Sequence, residues 1–258
     1  MSNSDPWAPR TERGGDPGPA LLGAIVAGVL GIAVAFVLST GAVVGLSAFV
    51  GQLSLVAVIS IVFVGSAVGL TGTGLAYLSL RNISPRSYLG LGRPAFGDVL
   101  WALGGYVGAL VAVFGVGFLF TIFQVEAETS NQAVELGIEN PELLLWLVPL
   151  SLFVVAPGEE LLFRGVVQGR LREAFAPRIA IPLTAALFAT VHYFSLTGAA
   201  EARFVAIAVL FLPSLVFGYA YERTQKLIVP ILIHGLYNST LVLLVYLTIE
   251  LAGSGAPM

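Results

Sequence analysis

The sequence predicts an all-α fold: a polytopic transmembrane helical bundle of about seven spans, or eight if one more segment inserts. Three observations carry this. The 258-residue chain is 57% hydrophobic and only 10% charged, whereas soluble domains run near 25% charged. From Ala20 to Leu80 it has no Asp, Glu, Lys or Arg, and one span needs about 20 apolar residues. Beyond that stretch, basic loops alternate with acidic or uncharged ones, the pattern of a chain threaded through a membrane.

Residues 1–19 are polar and rich in Pro and Gly, which predicts a disordered tail. The apolar run after it is far longer than the ~7–15-residue core of a signal peptide, so it reads as an uncleaved first span. Two helices are expected near 20–42 and 53–80, with a turn at Gly45 to Gln52. Gly23, Gly28, Gly31, Gly65 and Gly69 suit close helix packing in lipid. Arg81 to Arg93, with Pro85, Arg86, Gly90 and Gly92, is a break with a short interfacial segment. A third span is expected from Asp98 to Gln124, then an acidic loop with Glu126, Glu128, Glu135, Glu139 and Glu142. A fourth starts near Leu143. A corner with Arg170, Arg172, Pro177 and Arg178 leads to spans near 179–197, 203–221 and 227–250, and residues 251–258 form a short tail. An eighth span would need 41–52 or 85–97 to insert. This divides the chain into N-terminal helices (20–140) and a helical core (141–250). Arg10 and Arg13, the 81–93 arginines, the 170–178 corner, Arg223 and Lys226 place the N-terminus in the cytoplasm and the C-terminus outside.

Composition also excludes. Net charge is −3, so nothing suggests a nucleic-acid partner. With no cysteine there is no disulfide, thiolate metal site or cysteine nucleophile. The only aspartates are Asp5, Asp16 and Asp98, so a pair of intramembrane aspartates is unavailable. No Gly-x-Ser-x-Gly stretch points to a serine mechanism.

Against this apolar background a few side chains stand out. Gly158-Glu159-Glu160-Leu161-Leu162-Phe163-Arg164 comes after an uncharged run, and ionisable groups there are costly, roughly 2.5–3.5 kcal/mol each on insertion scales. The only histidines, His192 and His234, lie in apolar segments. Glu160 and Arg164 are i,i+4 in the favoured ion-pair order, which predicts a mainly structural pair. Glu159 points ~100° away and is left as the free base. Phe188 with His192, and His234 with Asn238, are also i,i+4. If the chain reverses at Phe175-Ala176, Glu159 and His192 lie at one depth, ~24 Å from the turn, and His234 lies ~15 Å in. All could face one cavity open to the cytoplasm. A lone Glu–Arg pair or core histidine is commonly structural, but these residues fall together on three helices. On the residues alone, catalysis and proton transport both remain open.

The Glu-Glu-x-x-x-Arg stretch at 159–164, Phe-x-x-x-His at 188–192 and His-x-x-x-Asn at 234–238 resemble the CPBP family. These are CAAX prenyl endopeptidases and bacteriocin-processing intramembrane proteases, also called the ABI family. The resemblance covers about Leu143 to Leu247. It implies peptide hydrolysis without a covalent intermediate, on a membrane-bound or prenylated peptide substrate within the lipid bilayer. Carried over, Glu159 would activate water, His192 would help hold it, and His234 and Asn238 would stabilise the oxyanion. Glu160 and Arg164 would support Glu159. Members have been described as metalloproteases, and Glu159, His192 and His234 would be the zinc ligands of a three-ligand site. The helix-borne His-Glu-x-x-His motif is absent, since Tyr193 comes after His192, and this leans toward a metal-free glutamate mechanism. The rival readings are a non-proteolytic scaffold or immunity protein of the same fold, and a proton-coupled transporter.

Overall fold

The computed structural model describes residues 15–125 and 130–253. Residues 1–14 of the expected tail, with Arg10 and Arg13, lie outside the described residues, as do Glu126, Glu128 and 254–258. Among the described residues the chain is helix and turn, with one isolated bridge between Asn131 and Leu196. It is a helical membrane bundle. The helices are α1 (Pro17–Val50), α2 (Leu55–Leu80), α3 (Pro85–Tyr88), α4 (Phe96–Phe123) and α5 (Gln132–Glu139). The rest are α6 (Pro141–Leu171), α7 (Pro177–Val191), α8 (Ala200–Thr224) and α9 (Ile228–Gly253).

Six of these, α1, α2, α4, α6, α8 and α9, are long and apolar enough to cross a membrane. The expected span near 179–197 differs. α7 has 15 residues, ~22 Å of helix against a core of ~30 Å. It ends because Ser195 Oγ donates to His192 O, and Gly198 turns the chain at φ +89°. The two stretches considered for an eighth span do not supply one. Residues 41–50 continue α1, and 85–97 form only a short turn of helix. α1 also begins earlier than expected, because Asp16 Oδ1 accepts from Gly18 N–H at 3.0 Å and Pro17 opens the first turn.

Small residues set the helix spacing. A Cβ on Gly65 would lie 2.8 Å from Ser39 Cα, and one on Gly69 would lie 2.5 Å from Ala35 Cα, so α1 and α2 touch backbone to backbone. α6 runs through the centre. Gly158 packs against Ala67 of α2, where an added Cβ would be 3.0 Å from backbone. Gly235 of α9 packs equally closely on Leu152. Leu162, Phe163, Val166, Val167 and Leu171 of α6 are 0–1% exposed.

α6 is not a uniform helix. Ser151–Val155 and Leu161–Gln168 are π-helical, on either side of Ala156–Glu160. Pro157 has no N–H to give to Phe153, and its ring crowds that carbonyl. The preceding turn widens, and Ala156 N–H reaches Ser151 O. Such widened turns recur at functional sites.

A polar ladder joins α6 to α8. Arg164 bonds Ser214, Gln168 Nε2 donates to Gly218 O, and Arg172 pairs with Glu222. The rungs advance four residues at a time on both helices, which run parallel.

The α8–α9 turn does not hang free below the bundle. Leu227 N–H donates to Leu89 O at 3.0 Å, and Leu89 and Tyr88 are buried against Gly165 and Gly169 of α6. The floor is therefore raised one to two turns up α6. Arg81, Arg86, Arg93, Arg170, Arg172, Arg178, Arg223 and Lys226 all lie at this end of the helices, whereas Glu135, Glu139, Glu142 and Glu201 lie at the other.

Candidate active site

The raised floor resolves the depth mismatch expected from the sequence. His234 is only six residues into α9, ~9 Å at 1.5 Å per residue. Yet α9 starts at the level of Gly165–Gly169, and this brings His234 beside Glu160.

The buried half of the cluster is fully polarised. Glu160 and Arg164 are both 0% exposed and meet at 3.0 Å. Arg164 Nη2 donates to Ser214 Oγ at 2.7 Å and to Ser214 O at 3.2 Å. Its guanidinium lies between the rings of Phe188 (4.5 Å) and Phe217 (5.3 Å), a cation–π sandwich. His234 Nδ1 donates to Glu160 Oε1 at 2.8 Å, and its ring stacks on Phe217 at 5.0 Å and 18°. A buried charge without such partners would be prohibitively costly.

The other half faces open space. Glu159 is 18% exposed and His192 22%. His192 Nδ1 donates to Phe188 O at 2.7 Å. Both histidines therefore hold a proton on Nδ1 and, when neutral, present a lone pair at Nε2. Each Nε2 lies 3.9 Å from the same Glu159 Oε2, which has no hydrogen-bond partner among the described residues. Three acceptors thus converge with no donor between them. A polar gap of this length is the kind that a water molecule can bridge.

The donor types suit zinc, but the spacing does not. Ligands at ~2.0–2.1 Å in tetrahedral geometry lie about 3.4 Å apart. Among the described residues no group of three or more His, Asp, Glu or Cys side chains closes far enough to hold a metal ion.

The structure brings together Glu159, Glu160, Arg164, Phe188, His192 and His234 from α6, the end of α7, and α9. Asn238 is half-buried one turn beyond His234 and makes no hydrogen bond among the described residues. The expected opening to the basic end is not found. On that side Leu162, Phe163, Leu89 and Leu227 are 0–2% exposed, and the accessible edge is the one formed by Glu159 and His192. Two partners escaped the sequence reading, Ser214 and Phe217 of α8. A serine after Pro213 inside an apolar span was the only available signal.

Fold and cluster define a class: a polytopic helical membrane protein with a carboxylate–imidazole cluster inside the bundle. The family is given by comparison. Residues 141–240 match the Rce1-like family, described as type II CAAX prenyl endopeptidase Rce1-like. This stretch of the chain is similar to that family of CAAX-type prenyl endopeptidases. No curated protein and no solved structure matches the chain.

Proposed function

We propose that the protein is an intramembrane endopeptidase that cleaves a membrane-associated or lipid-modified peptide with water activated by Glu159. The observation that carries this reading is the convergence of Glu159 Oε2, His192 Nε2 and His234 Nε2 around a 3.9 Å gap. A water there donates one proton to Glu159 and the other to His192, leaving a lone pair for attack. As its oxygen bonds to the scissile carbonyl carbon, its proton passes to Glu159. The carbonyl oxygen becomes an oxyanion. Glu159 then gives the proton to the leaving nitrogen as the C–N bond breaks, yielding an amine and a carboxylic acid, whose remaining proton passes to His192 Nε2 to leave a carboxylate.

His234 can donate to the oxyanion only from Nε2, because its Nδ1 proton is held by Glu160. The Glu160 carboxylate at 2.8 Å from Nδ1 holds the ring so that Nε2 points to the open side. The Asn238 amide would be the second donor. One such donor contributes about 2.7–4 kcal/mol to the transition state in soluble proteases. The basic end would face the cytoplasm.

Glu159→Gln in purified, folded protein tests the base. Cleavage of a membrane-anchored peptide should fall at least ~100-fold, the lower range for general-base loss, and undiminished cleavage would remove Glu159 from the mechanism. Dialysis against a chelator should leave cleavage intact, and activity restored only by added zinc would overturn the metal-free route.

A further inference from the structure

A second depression lies at the basic end. An open depression of about 560 Å³ is formed between the loop after α2 and the α8–α9 turn, within the ~300–1,000 Å³ of small-ligand sites. It is lined by Ser84, Arg86, Ser87, Gly90, Gly92 and Lys226, among others, and no acidic residue lines it. Buried Tyr88, Leu89 and Leu227 separate it from the Glu159 cluster.

Charge balance singles out Arg86. The carboxylates nearby are already engaged: Glu173 by Arg81 and Arg170, Glu222 by Arg172, Asp98 by Lys226. Arg86 is exposed, and its guanidinium has no hydrogen bond or ion pair among the described residues. Its guanidinium shares the depression with the hydroxyls of Ser84 and Ser87. Gly92 has open space beside its backbone there, whereas Gly90 (φ +62°) lies against the Gln225 backbone. The depression lies beyond the last turn of α8, between residues 84–92 and 224–226, which places it at headgroup depth. Leu91, 50% exposed, lines it on the apolar side.

We propose that this depression binds a phosphate group, with Arg86 as its principal contact. The group would be carried by an anionic lipid headgroup or by free phosphate. Arg favours such oxygens because its planar fork makes paired, charge-assisted hydrogen bonds.

The test uses the full chain in phosphatidylcholine nanodiscs doped with phosphatidic acid, with retained lipid counted by native mass spectrometry. Arg86→Gln should lose about tenfold in retained phosphatidic acid, as for a hydrogen bond to a charged group. Ser87→Asp, which puts a carboxylate in the depression, should lose as much. Arg223→Gln is the control. It is a cation at the same end, stacked over Trp101 at 5.9 Å, and should retain the lipid. Millimolar inorganic phosphate that displaces the lipid assigns the site to the phosphate group alone, and retention assigns it to the whole headgroup. No specific retention by the parent protein, equal loss in Arg86→Gln and Arg223→Gln, or full retention by Ser87→Asp would each overturn the proposal. The readout is independent of peptide cleavage.

Discussion

Arg164 holds the candidate site's buried charges in place. It is the sole cation bonded to Glu160 among the described residues, and Glu160 in turn fixes the proton on His234 Nδ1. Replacing Arg164 by Met leaves a carboxylate uncompensated in the core. It should cost about 3–5 kcal/mol, the range for breaking a buried pair from one side, read as a lowered unfolding midpoint in detergent. Ser214→Ala removes one charged hydrogen bond at the same guanidinium and should cost about 1–3 kcal/mol. The Glu160–Arg164 pair was legible in the sequence because i,i+4 spacing on a helix is a strong geometric constraint. Ser214 and Phe217 were not. Their role depends on how α8 lies against α6, and a serine in an apolar span reads equally well as packing.

At the scale of elements, α6 decides the geometry. Gly158 allows α6 to touch the α2 backbone at Ala67, directly beside Glu159. Gly158→Val should push the helices apart and cost about 1–3 kcal/mol as overpacking. It should lower cleavage more than it lowers substrate binding. The end of α2 is tied to the turn after α6 by Arg81 and Glu173, at 2.5 Å, with Arg170 joining the pair. Burial alone would raise the Glu173 pKa, but hydrogen bonds and charge from Arg81, with Arg170, outweigh it and hold the carboxyl below the ordinary range. The Arg81 guanidinium is raised in return by its bond to Glu173. With the folded value below the unfolded one, this tie is complete above about pH 4.3. It is lost as pH falls through the lower, folded value. Glu173→Gln should therefore be less stable near neutrality and show a smaller further loss on acidification, seen in unfolding midpoints across pH. The sequence placed α2, α4 and α6 well because apolar runs are long. It missed the short reach of α7, whose end is set by a hydroxyl bond and a glycine torsion. It also missed the 164/168/172 ladder, whose meaning appears only with 214, 218 and 222 alongside.

Taken whole, the basic residues other than Arg164 and Arg203 gather at one end of the bundle, partly balanced there by Glu173, Glu222 and Asp98, and Glu135, Glu139, Glu142 and Glu201 lie at the other, among the described residues. Because the chain has no cysteine, single reporters are clean. Ser87→Cys should be protected from an impermeant thiol reagent in intact cells, and Glu139→Cys should be labelled. The reverse pattern would invert the orientation. Membrane class and approximate span number were readable from hydropathy because lipid forces helices. The raised floor was not, since nothing in residues 83–91 announces that they tuck beneath α9.

The widened turns around the glutamate pair carry a genetic consequence. A π turn differs from an α turn by a single residue. Deleting one codon among 161–163 would keep an unbroken, apolar, membrane-competent helix. It would also let the widened turn close to an α turn, so the remainder of α6 keeps its facing while the Glu160–Arg164 spacing shortens from i,i+4 to i,i+3. A single in-frame deletion there thus yields a chain that still inserts, with its guanidinium one residue nearer the carboxylates.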